Sequence, residues 1–145
     1  MARVNQSVLN FKQFGWPVRV YYEDTDAGGV VYHSNYLNFM ERARTEWLRS
    51  FGFEQTVVKD ELGVIIVIHS ISIAFKRPAR FNDALEVNCR LVNVGGSSIE
   101  MLQTITCDGV LLIEAQVKAV FVHAVSFKPV SIPLPIKQAM MQFDG

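Results

Sequence analysis

The side chains that could do chemistry are concentrated in one short segment of the sequence. It contains two aspartates one residue apart, two adjacent glycines and a histidine: Asp24, Asp26, Gly28, Gly29 and His33. A strand-like run precedes the segment, and an amphipathic helical pattern begins at Asn35. This order sets an acid beside a helix N-terminus, where free N–H groups and the positive end of the dipole can polarise an electron-rich oxygen. A base that faces a polarised carbonyl is the outline of a hydrolase site.

Asp26 is the candidate for the base or nucleophile of such a site. It lies between a predicted strand and the Gly-Gly turn, where a carboxylate can face a cleft. The alternative is an aspartate that only holds the turn, by bonding to its own backbone. The spacing alone favours neither interpretation.

The run from Tyr21 to Tyr36 resembles the active-site signature of the hotdog-fold acyl thioesterases, the 4-hydroxybenzoyl-CoA thioesterase family, and most closely its YbgC branch. The resemblance extends over about residues 16–143. It implies that Asp26 is the catalytic acid and that the backbone amide of His33 polarises the carbonyl. It therefore favours the functional interpretation of Asp26, and leaves open whether this carboxylate attacks directly or activates water. The implied reaction needs no cofactor, because coenzyme A is part of the substrate.

Further residues of the same run are predicted to contact the substrate. They are Tyr22, Gly28, Gly29, Tyr32, Asn35 and Tyr36. The glycines fit a need for positive φ or for close approach of the substrate to the backbone. Buried strand aromatics are the default interpretation of Tyr22 and Tyr32, and the His33 ring is as easily a cap-region group with no chemical role.

No metal site is expected in this segment. The D-x-D-x-G pattern resembles the start of a calcium loop, but Gly28 occupies its fifth position and Asn35 the place of its bidentate Glu. Asp24 and Glu23 are therefore interpreted as turn or solvent residues.

The phosphates of coenzyme A usually meet basic side chains. The candidates here are Lys76, Arg77, Arg80, Arg90 and Lys128. Some relatives in the family have arginines in the loop that here reads Val94 to Ser98, and this chain has none there. That departure keeps a thioester of acyl carrier protein open as an alternative substrate.

Two other functions stay open at this point. Hotdog hydratases and dehydratases also act on acyl thioesters, but their sites need a His side chain and an acid that move protons at carbon. The YbgC branch is associated with the Tol–Pal cell-envelope gene cluster and with phospholipid synthesis. A non-catalytic or weakly catalytic acyl-carrier partner is therefore the other alternative.

Composition indicates one domain with surfaces for further subunits. Of 145 residues, 50% are hydrophobic, and the 14 basic and 14 acidic residues cancel, so no nucleic-acid or polybasic membrane patch is implied. The longest apolar stretch, residues 110–127, is broken by polar residues at strand spacing and is not expected to span a membrane. The excess hydrophobicity favours a homo-oligomer, and the family implies a dimer or a homotetramer built from two dimers. Residues 1–15 are predicted to be a flexible extension without a signal peptide, and residues 16–145 a single cytoplasmic hotdog domain.

The hydrophobic periods predict an α+β fold in which one long helix lies across the concave face of a curved antiparallel sheet. The family resemblance implies the hotdog form of this fold, in which the sheet wraps around that central helix. The predicted helices are Asn35–Phe51, Gln55–Leu62 and a short final one with Pro135 in its first turn; the predicted strands are Pro17–Tyr22, one starting at Val64, Ala84–Val94, Ser98–Thr106 and Val110–Ser126. Gly52 is expected to end the long helix in a left-handed conformation.

The apolar faces of the last three strands predict how they pair. Two three-residue loops are expected, Gly95–Ser97 and Cys107–Gly109, with Gly109 left-handed. The second loop would set Ile105 opposite Leu111, and the first would set Leu91 opposite Met101.

The same pairing keeps the two cysteines apart. Cys89 would lie opposite Gln103, about 13 Å along the strand from Cys107, which is too far for a disulfide. Two reduced thiols of the core type fit a cytosolic protein. Arg44 lies inside the apolar arc of the long helix; a snorkelling stem is slightly favoured there over a buried pair with a carboxylate.

Overall fold

A computed structural model describes residues 13–142 of the chain. Within this range the strands are β1 (Gln13–Arg19), β2 (Val64–Phe75), β3 (Ala84–Val94), β4 (Ser98–Cys107) and β5 (Val110–His123). The helices are α1 (Asn35–Ser50), α2 (Gln55–Leu62) and α3 (Leu134–Met140), with a 3₁₀ turn over Tyr22–Asp24. None of the helices in this range is long and apolar enough to cross a membrane.

The strands form one antiparallel sheet in the order β1-β3-β4-β5-β2, so β1 and β2 are its edges. The long helix α1 packs against β3 and β1. This arrangement confirms the predicted α+β hotdog fold, in which one helix covers a face of a single antiparallel sheet.

Helix α1 buries the apolar arc that its sequence predicts. The buried side chains are Tyr36, Phe39, Met40, Ala43, Trp47 and Leu48. Each large apolar side chain that is removed from water stabilises the fold by about 1.5–3 kcal/mol. Gly52 follows the helix with a φ of 91°, which confirms the predicted left-handed stop.

The inward faces of β3, β4 and β5 follow the predicted alternation except at the start of β5, where Leu111 was predicted to face inward but is half-buried, and Leu112 is buried instead. Their buried apolar residues include Leu85, Val87, Cys89, Leu91, Ile99, Met101, Ile105, Ile113, Ala115, Val117 and Phe121. Leu91 lies opposite Met101 and Cys89 lies opposite Gln103, as predicted. Both cysteines are free, and burial raises the pKa of the Cys89 thiol to about 12.

The predicted three-residue loop between β4 and β5 is wrong. Cys107 pairs with Val110, so the hairpin closes through the two residues Asp108 and Gly109. Both have positive φ, 50° and 80° respectively, as a type I′ turn requires. The predicted left-handed conformation of Gly109 is confirmed.

A β-bulge at Leu112 explains why the shorter turn still matches the apolar faces. It shifts the register by one residue and sets Ile105 opposite Ile113, not opposite Leu111. The predicted three-residue loop Gly95–Ser97 between β3 and β4 agrees with the strand bounds.

The first strand lies earlier in the chain than the sequence predicts. The prediction spans Pro17–Tyr22, whereas β1 spans Gln13–Arg19 and the chain then enters the 3₁₀ turn. The Tyr21 amide donates to Oδ2 of Asp24 at 2.8 Å, and such local side chain–backbone bonds compete with strand pairing. The last three residues of the predicted extension therefore belong to β1; residues 1–12 lie outside the described range.

The helices α2 and α3 match their predictions, with Pro135 in the first turn of α3. β5 ends at His123, three residues before the predicted Ser126. Nδ1 of His123 accepts hydrogen bonds from the amides of Val125 and Ser126, at 3.1 and 3.3 Å. The histidine side chain therefore turns the chain out of the sheet.

Arg44 has a polar partner that neither interpretation of the sequence named. Its Nη1 donates to Oε1 of Gln103 at 2.9 Å, and Nε2 of Gln103 donates to the carbonyl of Met40 at 3.1 Å. Gln103 is fully buried. Burial lowers the pKa of the Arg44 guanidinium, and its partner is a neutral amide instead of a carboxylate.

Candidate functional site

The predicted catalytic acid lies in the loop between β1 and α1, residues 20–34, called the acid loop below. The amide of Asp26 donates to the carbonyl of Val30 at 2.9 Å, and the amide of Gly29 donates to the carbonyl of Asp26 at 3.0 Å. Thr25 and Val31 form a β-bridge across the base of this turn. The acid loop therefore doubles back on itself before α1 begins.

Each of the two glycines in this turn has a geometric reason to be glycine. Gly29 has a φ of 80°, a conformation that side chains disfavour. A Cβ on Gly28 would lie 3.2 Å from Oδ1 of Asp26, which is tighter than an ordinary contact. The turn accounts for both residues, and their contact with a substrate stays a prediction.

The exposed carboxylate of Asp26 takes part in the turn. Its Oδ1 accepts a hydrogen bond from the Gly28 amide at 2.8 Å, which is the turn-holding role that spacing alone could not separate from catalysis. Within residues 13–142 this is the one protein group that donates to the carboxylate. A carboxylate offers about four acceptor positions, so most of its capacity faces solvent.

The start of α1 lacks a side-chain cap. Ser34 occupies the cap position with helical φ and ψ of −70° and −21°, and its side chain makes no capping bond. The Asn35 amide donates to the Tyr32 carbonyl at 2.8 Å, whereas the His33 amide donates to no protein acceptor within residues 13–142. A free N–H at the positive end of a helix can stabilise negative charge on an oxygen.

His33 lines an open cleft of about 290 Å³. Its other lining residues are Val31, Tyr36, Phe75, Lys76, Arg77 and Pro78. The amides of Lys76 and Arg77 both donate to the carbonyl of Leu112, the bulged residue of β5, at 2.8 and 3.1 Å. The bulge thus fixes the backbone of two cationic residues beside His33, and an anionic group would be favoured there.

Not every predicted residue lies in this cleft. Asp26, Gly28 and Gly29 are absent from its lining, as are Arg80, Arg90 and Lys128. A larger cavity of about 480 Å³ lies on the sheet, but none of the predicted catalytic or substrate-contacting residues lines it. The cleft is the better candidate because His33 and two cationic residues, Lys76 and Arg77, line it.

Tyr36 is buried, and its hydroxyl accepts a hydrogen bond from the Ala79 amide at 2.9 Å. Burial raises the pKa of the Tyr36 hydroxyl, the Ala79 bond opposes this shift, and the charge of Asp83 adds to it. The carbonyl of Ala79 accepts from the Val31 amide at 2.9 Å. Tyr36 and Val31 together hold the segment that forms one wall of the cleft.

Tyr22 and Tyr32 are not buried strand aromatics, which corrects the default interpretation. Their side chains are 79% and 49% exposed. Tyr22 packs edge-on against Phe81 with ring centroids 5.7 Å apart. Tyr32 packs against the His33 ring at 4.4 Å, so one of the two tyrosines lies directly beside the candidate site.

Asn35 and Asp24 contact each other. Nδ2 of Asn35 donates to Oδ1 of Asp24 at 3.1 Å, and Asp24 also accepts from the Tyr21 amide. Asp24 is therefore a turn residue, which was one of the two roles predicted for it, turn or solvent residue. Within the part of the chain that the structure describes, no cluster of three or more His, Cys, Asp or Glu side chains is arranged to hold a metal ion.

Sequence reasoning did not identify Val31, Phe75 and Pro78 as residues of the cleft. The Arg77-Pro78 break marks the end of a strand, but nothing in the sequence shows that this segment folds back onto Val31. The contact is made through Ala79, whose side chain gives no signal of a functional role.

Comparisons with known proteins connect these features to a family. Residues 20–140 match the model of the thioesterase-like superfamily. The acyl-CoA thioester hydrolase YbgC of Escherichia coli is 43% identical over 129 residues, which cover 88% of this chain and 96% of that protein. The acyl-CoA thioesterase YbgC of Haemophilus influenzae is 42% identical over 126 residues, 87% of this chain and 93% of that one. The crystal structure of a probable thioesterase from Bartonella henselae aligns with a TM-score of 0.79 and 33% identity, and covers 85% of this chain and 99% of that one.

Proposed function

This chain belongs to the thioesterase-like superfamily, and on that premise we propose that it hydrolyses acyl-CoA thioesters to a free acid and coenzyme A. The observation that carries the proposal is the uncapped start of α1. There the His33 amide has no protein acceptor within residues 13–142, and His33 lines a cleft that Lys76 and Arg77 also line. A thioester carbonyl is the kind of group that such a donor polarises.

In the proposed reaction, Asp26 acts on one side of the acyl carbon and the His33 amide on the other. As a general base, Asp26 takes a proton from water while the water oxygen attacks the carbon. As a nucleophile, it forms an acyl-enzyme anhydride that water then hydrolyses. In both routes the oxyanion accepts a hydrogen bond from the His33 amide, and the C–S bond breaks to release the thiol. Neither route needs a metal ion or a cofactor.

The cations of the cleft support coenzyme A as the carrier of the acyl group. Lys76 and Arg77 are the two predicted phosphate-binding residues that lie beside His33. Charge-assisted hydrogen bonds from such side chains to phosphate are roughly twice as strong as neutral ones. An acyl carrier protein, which delivers the same thioester on a phosphopantetheine arm, is the alternative donor.

We also propose that a second subunit completes the acyl pocket. In the single chain Asp26 lies outside the cleft that contains His33, and Phe75 at the cleft remains 53% exposed. A homo-oligomer would cover such apolar surface. Sedimentation equilibrium of the purified protein tests this, and a monomer at assay concentration would contradict it.

Thiol release tests the proposed activity. We would assay wild-type protein, Asp26→Asn and Asp60→Asn against a panel of acyl-CoAs and against acyl carrier protein. Asp60 is an exposed aspartate of α2 and is the matched control. Loss of general acid–base catalysis typically costs 10²- to 10⁴-fold, so we expect kcat of Asp26→Asn to fall by about that factor and Asp60→Asn to match wild type.

The other outcomes distinguish the alternatives. Equal activity of Asp26→Asn and wild type would remove Asp26 from the mechanism. Consumption of an unsaturated acyl-CoA without thiol release would indicate a hydratase, because hydration leaves the thioester intact. Binding of acyl carrier protein without turnover of any thioester would favour the non-catalytic alternative.

A further inference from the structure

Asp24 accepts three hydrogen bonds that join the two ends of the acid loop. Its Oδ2 accepts from the Tyr21 amide at 2.8 Å, and its Oδ1 accepts from Nδ2 of Asn35 at 3.1 Å. Its backbone carbonyl accepts from the Tyr32 amide at 3.0 Å. One residue is thus bonded to the loop entrance at Tyr21, to the residue before His33, and to the first residue of α1.

These bonds lie next to both groups of the proposed mechanism. Asp24 is two residues before Asp26, and Tyr32 directly precedes His33. Thr25, between the two aspartates, forms the bridge to Val31. A shift of Asp24 would therefore move the Asp26 carboxylate relative to the His33 amide, and misplacement by about 1 Å can cost roughly 10²-fold in rate.

We propose that Asp24 is a positioning residue for thioester hydrolysis and that Asn35 is its partner. The pair holds the acid loop against the start of α1, so that the acid and the oxyanion donor keep one separation. Asn35, predicted to contact the substrate, acts instead through Asp24. This inference rests on the proposed function, because the two groups that it positions are those of the proposed mechanism.

Exchanging the Asp24 and Asn35 side chains distinguishes the effect of their hydrogen bond from the effect of where the negative charge lies. In Asn35→Asp two carboxylates would face each other across about the 3.1 Å of the present bond, and like charges repel strongly there. In the exchanged double variant, Asp24→Asn with Asn35→Asp, Asn at position 24 donates to the new carboxylate. Its side-chain oxygen still accepts from the Tyr21 amide. Both bonds and one negative charge near the helix start are restored.

Steady-state kinetics of purified enzyme test the inference, with melting temperatures measured in parallel. We expect Asn35→Asp to lower kcat by about 10- to 100-fold, on the scale of misplaced catalytic groups, with KM nearly unchanged. An interaction that matters in the transition state alone affects kcat in this way. The exchanged double variant should recover kcat to within about threefold of wild type, while the Asp60→Asn control stays at wild type. If the Asp24–Asn35 pair had a merely structural role, Asn35→Asp would lower the melting temperature but leave kcat, calculated per folded enzyme, unchanged.

Hydrogen exchange gives a readout that does not depend on turnover. Loss of the Asp24–Asn35 bond should speed exchange of the Tyr32 amide in Asn35→Asp, and the double variant should restore its protection. If wild type releases thiol, the proposed function stands. The inference would then be overturned by a wild-type kcat in Asn35→Asp, or by a double variant that does not recover kcat. If wild type releases no thiol, the proposed function fails, and unchanged Tyr32 exchange in Asn35→Asp would show separately that the pair does not hold the loop.

Discussion

Helix α1 carries polar groups in two very different settings. Just before its start, the His33 amide has no protein acceptor within residues 13–142, and His33 lines an open cleft. Further along, Arg44 is bonded to Gln103, whose own amide donates to the Met40 carbonyl. In the interior a donor without a partner costs about 1–3 kcal/mol, so the pairing of Arg44 with Gln103 matters for stability. At the helix start water or a ligand can pair with the amide, which leaves it available for chemistry.

This difference predicts that changes at the helix start affect turnover and changes at the Arg44–Gln103 pair affect stability. A residue whose substitution strongly changed both turnover and stability would contradict this division.

Removal of the free amide at the helix start should lower turnover far more than any change at the Arg44–Gln103 pair. His33→Pro deletes the N–H, since proline has no backbone donor, and His33→Ala removes the ring and keeps the N–H. Loss of one oxyanion donor costs about 10²- to 10³-fold in kcat. We expect that loss for His33→Pro and near wild-type kcat for His33→Ala, with circular dichroism as the check that both fold. Equal loss in both variants would assign the role to the imidazole.

Loss of the buried partner of Arg44 should leave turnover unchanged and lower stability. Gln103→Met removes the acceptor of the guanidinium, and hydrogen bonds to charged groups contribute about 1.5–3 kcal/mol. Because Arg44 is only half-buried, we expect about 1–2 kcal/mol, or a fall of roughly 2–8 °C in the melting temperature. The double variant Arg44→Met with Gln103→Met should recover much of that loss, since no buried cation remains unpaired. A large fall in kcat of folded Gln103→Met would contradict the division between the two settings.

Two of the left-handed glycines, Gly29 and Gly63, test the same difference with substitutions of similar expected cost. They have φ of 80° and 67°, and neither would meet a neighbour within 4 Å on gaining a Cβ. Alanine in this conformation costs roughly 1–2 kcal/mol, so both substitutions should lower the melting temperature similarly. Only Gly29→Ala should also lower kcat, because Gly29 shapes the turn that carries Asp26. Similar kcat values in both variants would mean that the turn tolerates strain without moving the acid.

The sequence predicted the local parts of the site better than its assembly. Positive φ at Gly29 and the helix start at Asn35 follow from local backbone chemistry, and both agree with the structure. The wall of the cleft could not be predicted, because it depends on Ala79 meeting Val31 and Tyr36 from a segment more than forty residues further along the chain.

The fold shows the same division between local and long-range information. The apolar arc of α1 and the alternating faces of β3 to β5 were predicted because each repeats within one element. The β4–β5 turn was predicted wrongly because the bulge at Leu112 changes the pairing without any local signal. Arg44 was not matched to Gln103 for a similar reason. Gln103 is a polar residue on an apolar strand face, and the sequence does not show which residue it contacts.

Cys89 provides a predicted effect that is small near neutral pH and appears only as the pH rises, because it depends on ionisation of the thiol. Burial raises the pKa of its thiol to about 12, and the Arg44 charge opposes that shift. Because the folded protein holds this proton more tightly than the unfolded chain, the contribution to stability is complete below pH about 8.5, the ordinary thiol pKa. It is lost as the pH rises toward 12. The slope approaches roughly 1.4 kcal/mol per pH unit for one such group.

Urea unfolding between pH 7 and pH 10.5 measures that slope. Cys89→Ala should be less stable than wild type at pH 7, because a buried side chain is truncated, and its stability should fall less steeply above pH 9. The raised pKa values of Tyr36 and Cys107 act in both proteins, so the difference between the two curves isolates Cys89. If the stabilities of wild type and Cys89→Ala fell in parallel with pH, the thiol would ionise as easily in the folded state as in the unfolded one. Water would then reach the interior beside Arg44 more readily than its hydrogen bonds indicate.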